Sequence, residues 1–565
     1  MEVSRRGLIK LGAVGAAAAT LPLGRTAMTK SGGDRMRESA FPKPFSLPFV
    51  RPPELTPSGT TNVRCPDGVV RSYPMYHLVQ TFAIARIMPG YKTPIFGYNG
   101  VTPGPTIRVQ RGQPVVVRQT NALHTPPPAP YQNAQMPAPY TNDPLKRWTS
   151  THLHGSASLP QFDGYASDIT LPGQYKDYFY PNSQEARTLW YHDHGVHHTS
   201  QNAYSGLAAE YILHDSVERN LGIPTGPPYD VPVVIRDAMF WKDGRLAYDD
   251  NSESGVYGDV ILVNGVPWPE MVVERRKYRF RLLNASASRS YRWQLHDGRS
   301  AVPMTVIATD GGLMPKPQSV SNLLHGQAER YEVVIDFAKY PDNTLLTLRN
   351  LFPDNNEDFD TVGYAMRFRV RGAASNTSNN TIPADWEERV PVHEAMTFTE
   401  QGLRAQGAVQ RQFTFERQNG HWVINGEDWQ KVIDTDYQHC IAEPESESVE
   451  IWTFRNPSGG WFHPVHVHLV DFQVLSRNGR ADLVRPHERG PKDVVYLGEN
   501  ETIKVAMRFG GPAAGPGWPR PSGRYMMHCH NLVHEDHDMM VQFSAGDHEH
   551  VAELDPVKAA RPMQG

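Results

Sequence analysis

The chain has 565 residues, 39% of them hydrophobic, with 56 Lys and Arg against 60 Asp and Glu for a formal net charge of −4. That balance offers no broad basic face for nucleic acid. A mean hydropathy of −0.51, with no uncharged apolar run of the roughly 20 residues needed to span a bilayer, points away from a membrane-embedded mature protein.

The chain begins with Ser4-Arg5-Arg6-Gly7-Leu8-Ile9-Lys10, followed by a mildly apolar, alanine-rich stretch from Leu11 to Leu23. A twin arginine ahead of such a stretch reads as a twin-arginine export signal over residues 1–27, more than as an ordinary basic N-terminus. It predicts a periplasmic or extracellular protein, free of the membrane once the signal is removed. Residues 28–45 read as a flexible lead-in.

A weak internal repeat follows. Asn99-Gly100, Asn264-Gly265 and Asn425-Gly426 each close a hydrophobic run, 165 and 161 residues apart. Each is followed by an alternating strand that ends at Asn121, Asn284 or Asn456. An Asn-Gly turn before an alternating strand is a hairpin signature. Three β-sandwich domains are predicted, over residues 46–220, 221–380 and 381–546, with a tail at 547–565. The 48 prolines and 46 glycines suit this all-β reading. Helical signals are confined to 182–187 and 531–537. The polar stretch Arg371 to Glu388 reads as the connection into the third domain.

Histidines supply the chemistry. They cluster at Thr151-His152-Leu153-His154-Gly155, at Trp190-Tyr191-His192-Asp193-His194, at His463-Pro464-Val465-His466-Val467-His468, and at His528-Cys529-His530 with His534 and Met539 beyond. Alternate residues of a strand share a face, so a His-x-His presents two imidazoles together. One such pair is weak, and imidazoles accept Cu, Zn, Fe or Ni. Four clusters are strong. The last one selects copper: Cys529, His463, His534 and a weak thioether from Met539 are the ligand set of a blue-copper centre. If Cys529 is a thiolate ligand, Cys65 and Cys440 remain as either a bridge or two unpaired thiols. The remaining histidines, among them His197, His198, His537, His548 and His550, read as solvated, with His197 and His537 close enough to support ligands.

In order and spacing the four clusters resemble the copper signatures of the multicopper oxidases, over nearly the whole chain beyond the signal. The wording is most similar to the bilirubin oxidases, in HLHGS, FDGYASDIT, ARTLWYHDH, GDVILVNGVPWP, HPVHVHLVDFQVLSR and HCHNLVHEDHDMM. Spore-coat laccases and phenoxazinone synthases are looser matches. The resemblance implies three consecutive cupredoxin-like Greek-key sandwiches and four copper ions. A type 1 copper would be held by His463, Cys529, His534 and axial Met539, and a type 2 copper by His152 and His466. A type 3 pair would be held by His154, His192, His194, His468, His528 and His530. It further implies proton delivery by Asp163 and Glu535, whose alternatives are a turn-forming Asp and a solvated carboxylate.

The function implied is one-electron oxidation of a small organic donor (bilirubin, phenols or aminophenols) coupled to four-electron reduction of O2 to water by a monomer. A metallo-oxidase of Cu(I), Mn(II) or Fe(II) is the alternative. The 18 methionines are scattered, without the Met-rich insertions that would suit soft Cu(I). The acidic loop Asp354-Asn355-Asn356-Glu357-Asp358 reads as solvated more readily than as a metal site. A protein that only carries electrons would need the blue site alone.

Overall fold

The computed structural model describes residues 34–123, 147–354, 356–512, 514–546 and 561–562. The export signal and His548 and His550 lie outside them, as does most of the predicted tail.

Six sheets carry the described residues, two for each third of the chain. In the first third, the sheet that bears histidines runs in the order Glu54–Leu55, Thr106–Gln110, Ala208–His214, Arg187–Asp193 and Thr151–His154. It packs on a second sheet built around the long strand Val70–Ala85. The middle third pairs a seven-stranded sheet with a six-stranded one, and the last third a five-stranded sheet with a four-stranded one. Three large apolar clusters fill these sandwiches. Tyr98, Ile107 and Tyr191 belong to the first, Val233, Phe280 and Trp293 to the second, and Phe415, Trp452 and Val505 to the third. The fold is all-β, as expected.

The repeat is visible in individual bonds. Asn99, Asn264 and Asn425 all sit in the left-handed region, at φ 52°, 50° and 53°, each followed by a glycine with positive φ. Each Asn side chain accepts from the backbone N–H of a neighbouring strand, Val79, Val234 or Thr414, at 2.7–2.8 Å. The strand-end asparagines match one another too. Asn121, Asn284 and Asn456 each accept from the N–H two residues on, at 3.0 Å, and donate to two carbonyls of crossing loops. An Asn that bonds its own backbone two residues on makes an Asx turn, so these residues stop their strands at equivalent places.

Two stretches differ from expectation. Residues 182–187 form no helix: Asn182 is left-handed (φ 51°) with its amide on Gln113, and the strand begins at Arg187. The lead-in is packed from Asp34 onward, with Met36 in the core of the middle third and Phe45 bonded to Trp268. The helix expected over 531–537 is present as Leu532–Asp536, capped by the Asn531 side chain. Beyond residue 546, Arg561–Pro562 returns to pair with the first third at Tyr175 and Gln174.

Candidate metal centre

One strand pair organises the site. His463–Val467 runs antiparallel to Gly523–Cys529, with Val465 opposite Cys529 and His466 opposite His528. Because faces alternate, His463 and Cys529 emerge on one side of the sheet and His466 and His528 on the other. The same sheet therefore borders two centres.

On the first side, the Cys529 sulfur lies 3.4 Å from His463 Nδ1 and 3.6 Å from His534 Nδ1. Met539 is fully buried, and its backbone clamps the loop by bonding the His534 carbonyl and the Cys529 N–H. Burial pushes the Cys529 thiol up and holds His463 down at about 3, so both protons must be displaced or absent for a cation to enter. Trp422 stacks on His534 with ring centroids 3.8 Å apart, and Trp461 meets Trp422 edge-on at 5.1 Å. Ser254, from the middle third, places its carbonyl 3.3 Å from His534 Nε2.

On the other side eight imidazoles converge. The first third contributes His152 and His154 from the strand Thr151–His154, paired in register with Arg187–Asp193 so that His152 faces His192. Three groups, the first two sharing His154, each have their ligand atoms within 4.8 Å of one another: His152, His154 and His466; His154, His192 and His530; and His194, His468 and His528. His152 Nε2, His154 Nδ1, His192 Nε2, His466 Nε2 and both nitrogens of His530 are buried without a hydrogen-bond partner. His194 and His468 each bring Nε2 to 3.2 Å from His528 Nε2. Buried polar atoms left unpaired in this number are costly unless something binds them.

The rings are held from behind. His192 Nδ1 donates to the Asp193 carbonyl and His466 Nδ1 to the Asp493 carbonyl, both at 2.8 Å, and His152 Nδ1 donates to the Asp163 carbonyl. His468 Nδ1 donates to Asp163 Oδ2 at 2.7 Å. Each bond puts the proton on Nδ1 and leaves Nε2 bare towards the cavity. Burial first, then the neighbouring histidines, hold His152, His154, His466, His468 and His530 well below the ordinary imidazole range. His192 falls to about 3 and His194 to about 4 for the same leading reason. Neutral rings are what a cation requires.

Two acids border this cavity, as the sequence anticipates. Asp163 is 2% exposed, with Oδ1 unpartnered, and burial pushes its carboxyl well above the usual range; a cation in the cavity would oppose that rise. Gly164 has φ +78°, and a side chain there would run into Thr151 and His152, so the Asp163-Gly164 turn also brings the carboxylate to the histidine strand. Glu535 is 3% exposed, with its oxygens 3.0 Å from His528 Nδ1 and 3.5 Å from His194 Nδ1, ion-pair distances without hydrogen-bond alignment. Burial raises its pKa, but His528 and His194 outweigh this and bring it down to about 2. Neither acid is a solvated surface group.

The remaining expectations sort cleanly. His197 is 42% exposed in its side chain and pairs with Asp538 at 2.9 Å, while His537 donates to the Val533 carbonyl. Cys65 and Cys440 are unpaired thiols, Cys65 buried against the Tyr73 hydroxyl and Cys440 beneath Gln542. Of the acidic loop, Glu357 and Asp358 are held by Arg289, which donates to the Glu357 carbonyl and faces the Asp358 carboxylate. Asp493 and Arg330 went unseen in the sequence. Arg330 stands in AERYEVVIDF, a stretch that resembles the family in wording but suggests no ligand, and Asp493 in no such stretch; only the folded chain brings them to the histidines.

A soft thiolate with two imidazoles beside a multi-imidazole cavity is a donor set that fits copper. Family models described as multicopper oxidase match residues 83–143 and 132–218, 232–373, and 403–549. The chain is 41% identical over 463 residues to the bilirubin oxidase of Albifimbria verrucaria, covering 80% of this chain and 73% of that one. It is 32% identical over 485 residues to the laccase of Bacillus subtilis (strain 168), covering 79% and 89%. Among solved structures, the McoA multicopper oxidase 2F4 variant from the hyperthermophile Aquifex aeolicus superposes with a TM-score of 0.71 at 26% identity, covering 89% of this chain and all of that one.

Proposed function

The chain belongs to the multicopper oxidase family, and on that premise we propose how its copper is divided and what it oxidises. His463, Cys529, His534 and Met539 hold a type 1 copper. His152 and His466 hold a type 2 copper, and His154, His192, His194, His468, His528 and His530 hold a type 3 pair. The observation that carries this division is the alternation along one strand pair, which sends the thiol and the bare imidazole nitrogens to opposite faces. Four coppers suit four-electron reduction of O2 to water. Copper, when bound, supplies the one-electron redox chemistry; the chain supplies positions and protons.

His528 and His530 flank Cys529, so the two centres are joined through the backbone over a very short path. Asp163 holds a proton-accepting oxygen, Oδ1, free and buried beside His152 and His468. Glu535 lies against His528 and His194 and follows His534 directly. These two acids deliver the protons that water formation consumes.

The donor is a small organic molecule of the bilirubin, phenol or aminophenol kind. The aromatic surroundings of His534, formed by Trp422 and Trp461, and the relatives' names support this, as does the lack of any Met-rich insertion. Export by the twin-arginine route to the periplasm or beyond completes the reading. Oxygen uptake by copper-loaded protein, compared across bilirubin, a dimethoxyphenol, an aminophenol and Cu(I), tests it. Preference for Cu(I), or copper content well below four per chain, would overturn it.

A further inference from the structure

The eight cavity histidines do not all present the same nitrogen. His152, His192, His466 and His468 are anchored through Nδ1, the nitrogen nearer their own backbone. His154 is reversed. Its Nδ1 is the buried atom without a partner, in a group with His152 and His466, and its Nε2 is the nitrogen turned to a carboxylate. The far end of that ring must find its acceptor elsewhere. That acceptor is Asp493, whose Oδ1 lies 3.2 Å from His154 Nε2 while its carbonyl accepts from His466 Nδ1 at 2.8 Å. One residue thus anchors two rings, which stack with centroids 3.7 Å apart and planes at 16°.

Asp493 is itself gripped. Arg330, fully buried, donates to both its oxygens at 2.7 and 2.5 Å. The guanidinium is fixed in turn by the carbonyls of Thr188, Ala328 and Asp310. The backbone N–H groups of Arg330 and Asp493 bond the two oxygens of Asp310. Arg330 comes from the middle third, which supplies none of the cavity nitrogens among the described residues. The pair also accounts for Gly155 of the first histidine motif. A Cβ there would lie 2.6 Å from both Arg330 Nη2 and Asp493 Oδ2, so a larger residue would push the pair off His154.

We propose that Arg330 and Asp493 are a positioning pair that sets the ring orientation of His154 and His466, and thereby controls metal retention in the histidine cavity from the middle domain. A planar bidentate fork holds a carboxylate in one plane, which an ammonium cannot do. A bare carboxylate could rotate and release the His154 ring.

This inference rests on the four-copper reading, which copper analysis of the unaltered protein tests separately. The variants are Asp493→Asn and Arg330→Lys, each isolated as copper-loaded holoenzyme. Measurements are copper per chain, the type 2 electron paramagnetic resonance signal, blue absorption, and copper release to a graded series of chelators. Partners of ligand histidines commonly change metal affinity ~10–100-fold. The expected result is that release from the cavity sites becomes 10- to 100-fold easier in Asp493→Asn and less so in Arg330→Lys, with an altered type 2 signal and blue absorption unchanged. A merely structural ion pair would instead lower thermal stability and leave cavity affinity unchanged, or lose blue copper in the same proportion; either result overturns the proposal. If Asp493→Asn does not fold, Arg330→Lys decides the matter by the same criteria.

Discussion

The two faces of the strand pair His463–Val467 and Gly523–Cys529 share a backbone yet differ in every other respect. On the Cys529 face the surroundings are apolar. Phe415, Trp422, Val465, Val541 and Phe543 pack with the thiol in the core of the last third, and beyond the sulfur His534 meets Asn531 and the Ser254 carbonyl. On the opposite face almost every ring is backed by oxygen, and three carboxylates, Asp163, Asp493 and Glu535, stand behind the histidines. A centre that only passes electrons gains from a dry setting with few groups to reorganise. A centre that makes water also needs protons, and so acids near it. Sheet alternation keeps the two settings within one residue of each other without mixing them.

The largest expected effect comes from removing the one atom that both faces depend on. Cys529→Ser should abolish blue absorption and reduce oxidase activity below detection, while the histidine cavity still binds copper. Metal analysis beside turnover checks this. Residual four-electron turnover would show that the cavity draws electrons without the sulfur centre, and the separation of roles would fail.

Next is Asp163→Asn, which keeps the side-chain shape but removes the proposed proton carrier from the polar face only. O2 reduction should slow by about 10²-fold, in line with loss of a general acid, with blue absorption intact. Anaerobic reduction of the blue centre followed by mixing with O2 isolates the step. Glu535→Gln should have a smaller effect, about 10-fold, because Glu535 meets His528 and His194 without an aligned hydrogen bond, whereas Asp163 is bonded to His468. Since Glu535 adjoins His534, a shift in the blue band of this variant would mean that the two faces are less insulated than their packing indicates.

Much of this division is legible in the sequence, and what escapes it has a physical cause. The ligand histidines stand out because strand alternation forces a local His-x-His spelling, and the three sandwiches because Asn-Gly turns and strand-end asparagines repeat. Asp163 and Glu535 are near motifs and can be found from them. Asp493 and Arg330 are 163 positions apart and meet only because the middle third packs against the cavity; even Arg330, in the family-like stretch AERYEVVIDF, has no local feature that ties it to the histidines. The helix expected at 182–187 fails because a left-handed Asn182, bonded to Gln113, turns the chain directly into a strand. The fate of Cys65 and Cys440 likewise depends on long-range placement, and both remain thiols.

The smallest predicted effect concerns access to the apolar face. Trp422 covers His534 and donates from its indole nitrogen to the Glu253 carbonyl at 2.8 Å, next to the Ser254 carbonyl that meets His534 Nε2. Arg417 closes the same corner by pairing with Glu253 at 2.6 Å and lying over the Trp422 ring. Trp422→Phe keeps a ring on His534 but loses the bond that holds the 249–255 loop down. A single neutral hydrogen bond is worth about 1 kcal/mol net, so KM for a bulky donor such as bilirubin should move by a few-fold. Neither kcat at saturating donor nor blue absorption should change. Steady-state kinetics with bilirubin and a small phenol measures the contrast. A fall in kcat for both donors would mean that the loop also governs events on the polar face, contrary to the insulation the sheet provides.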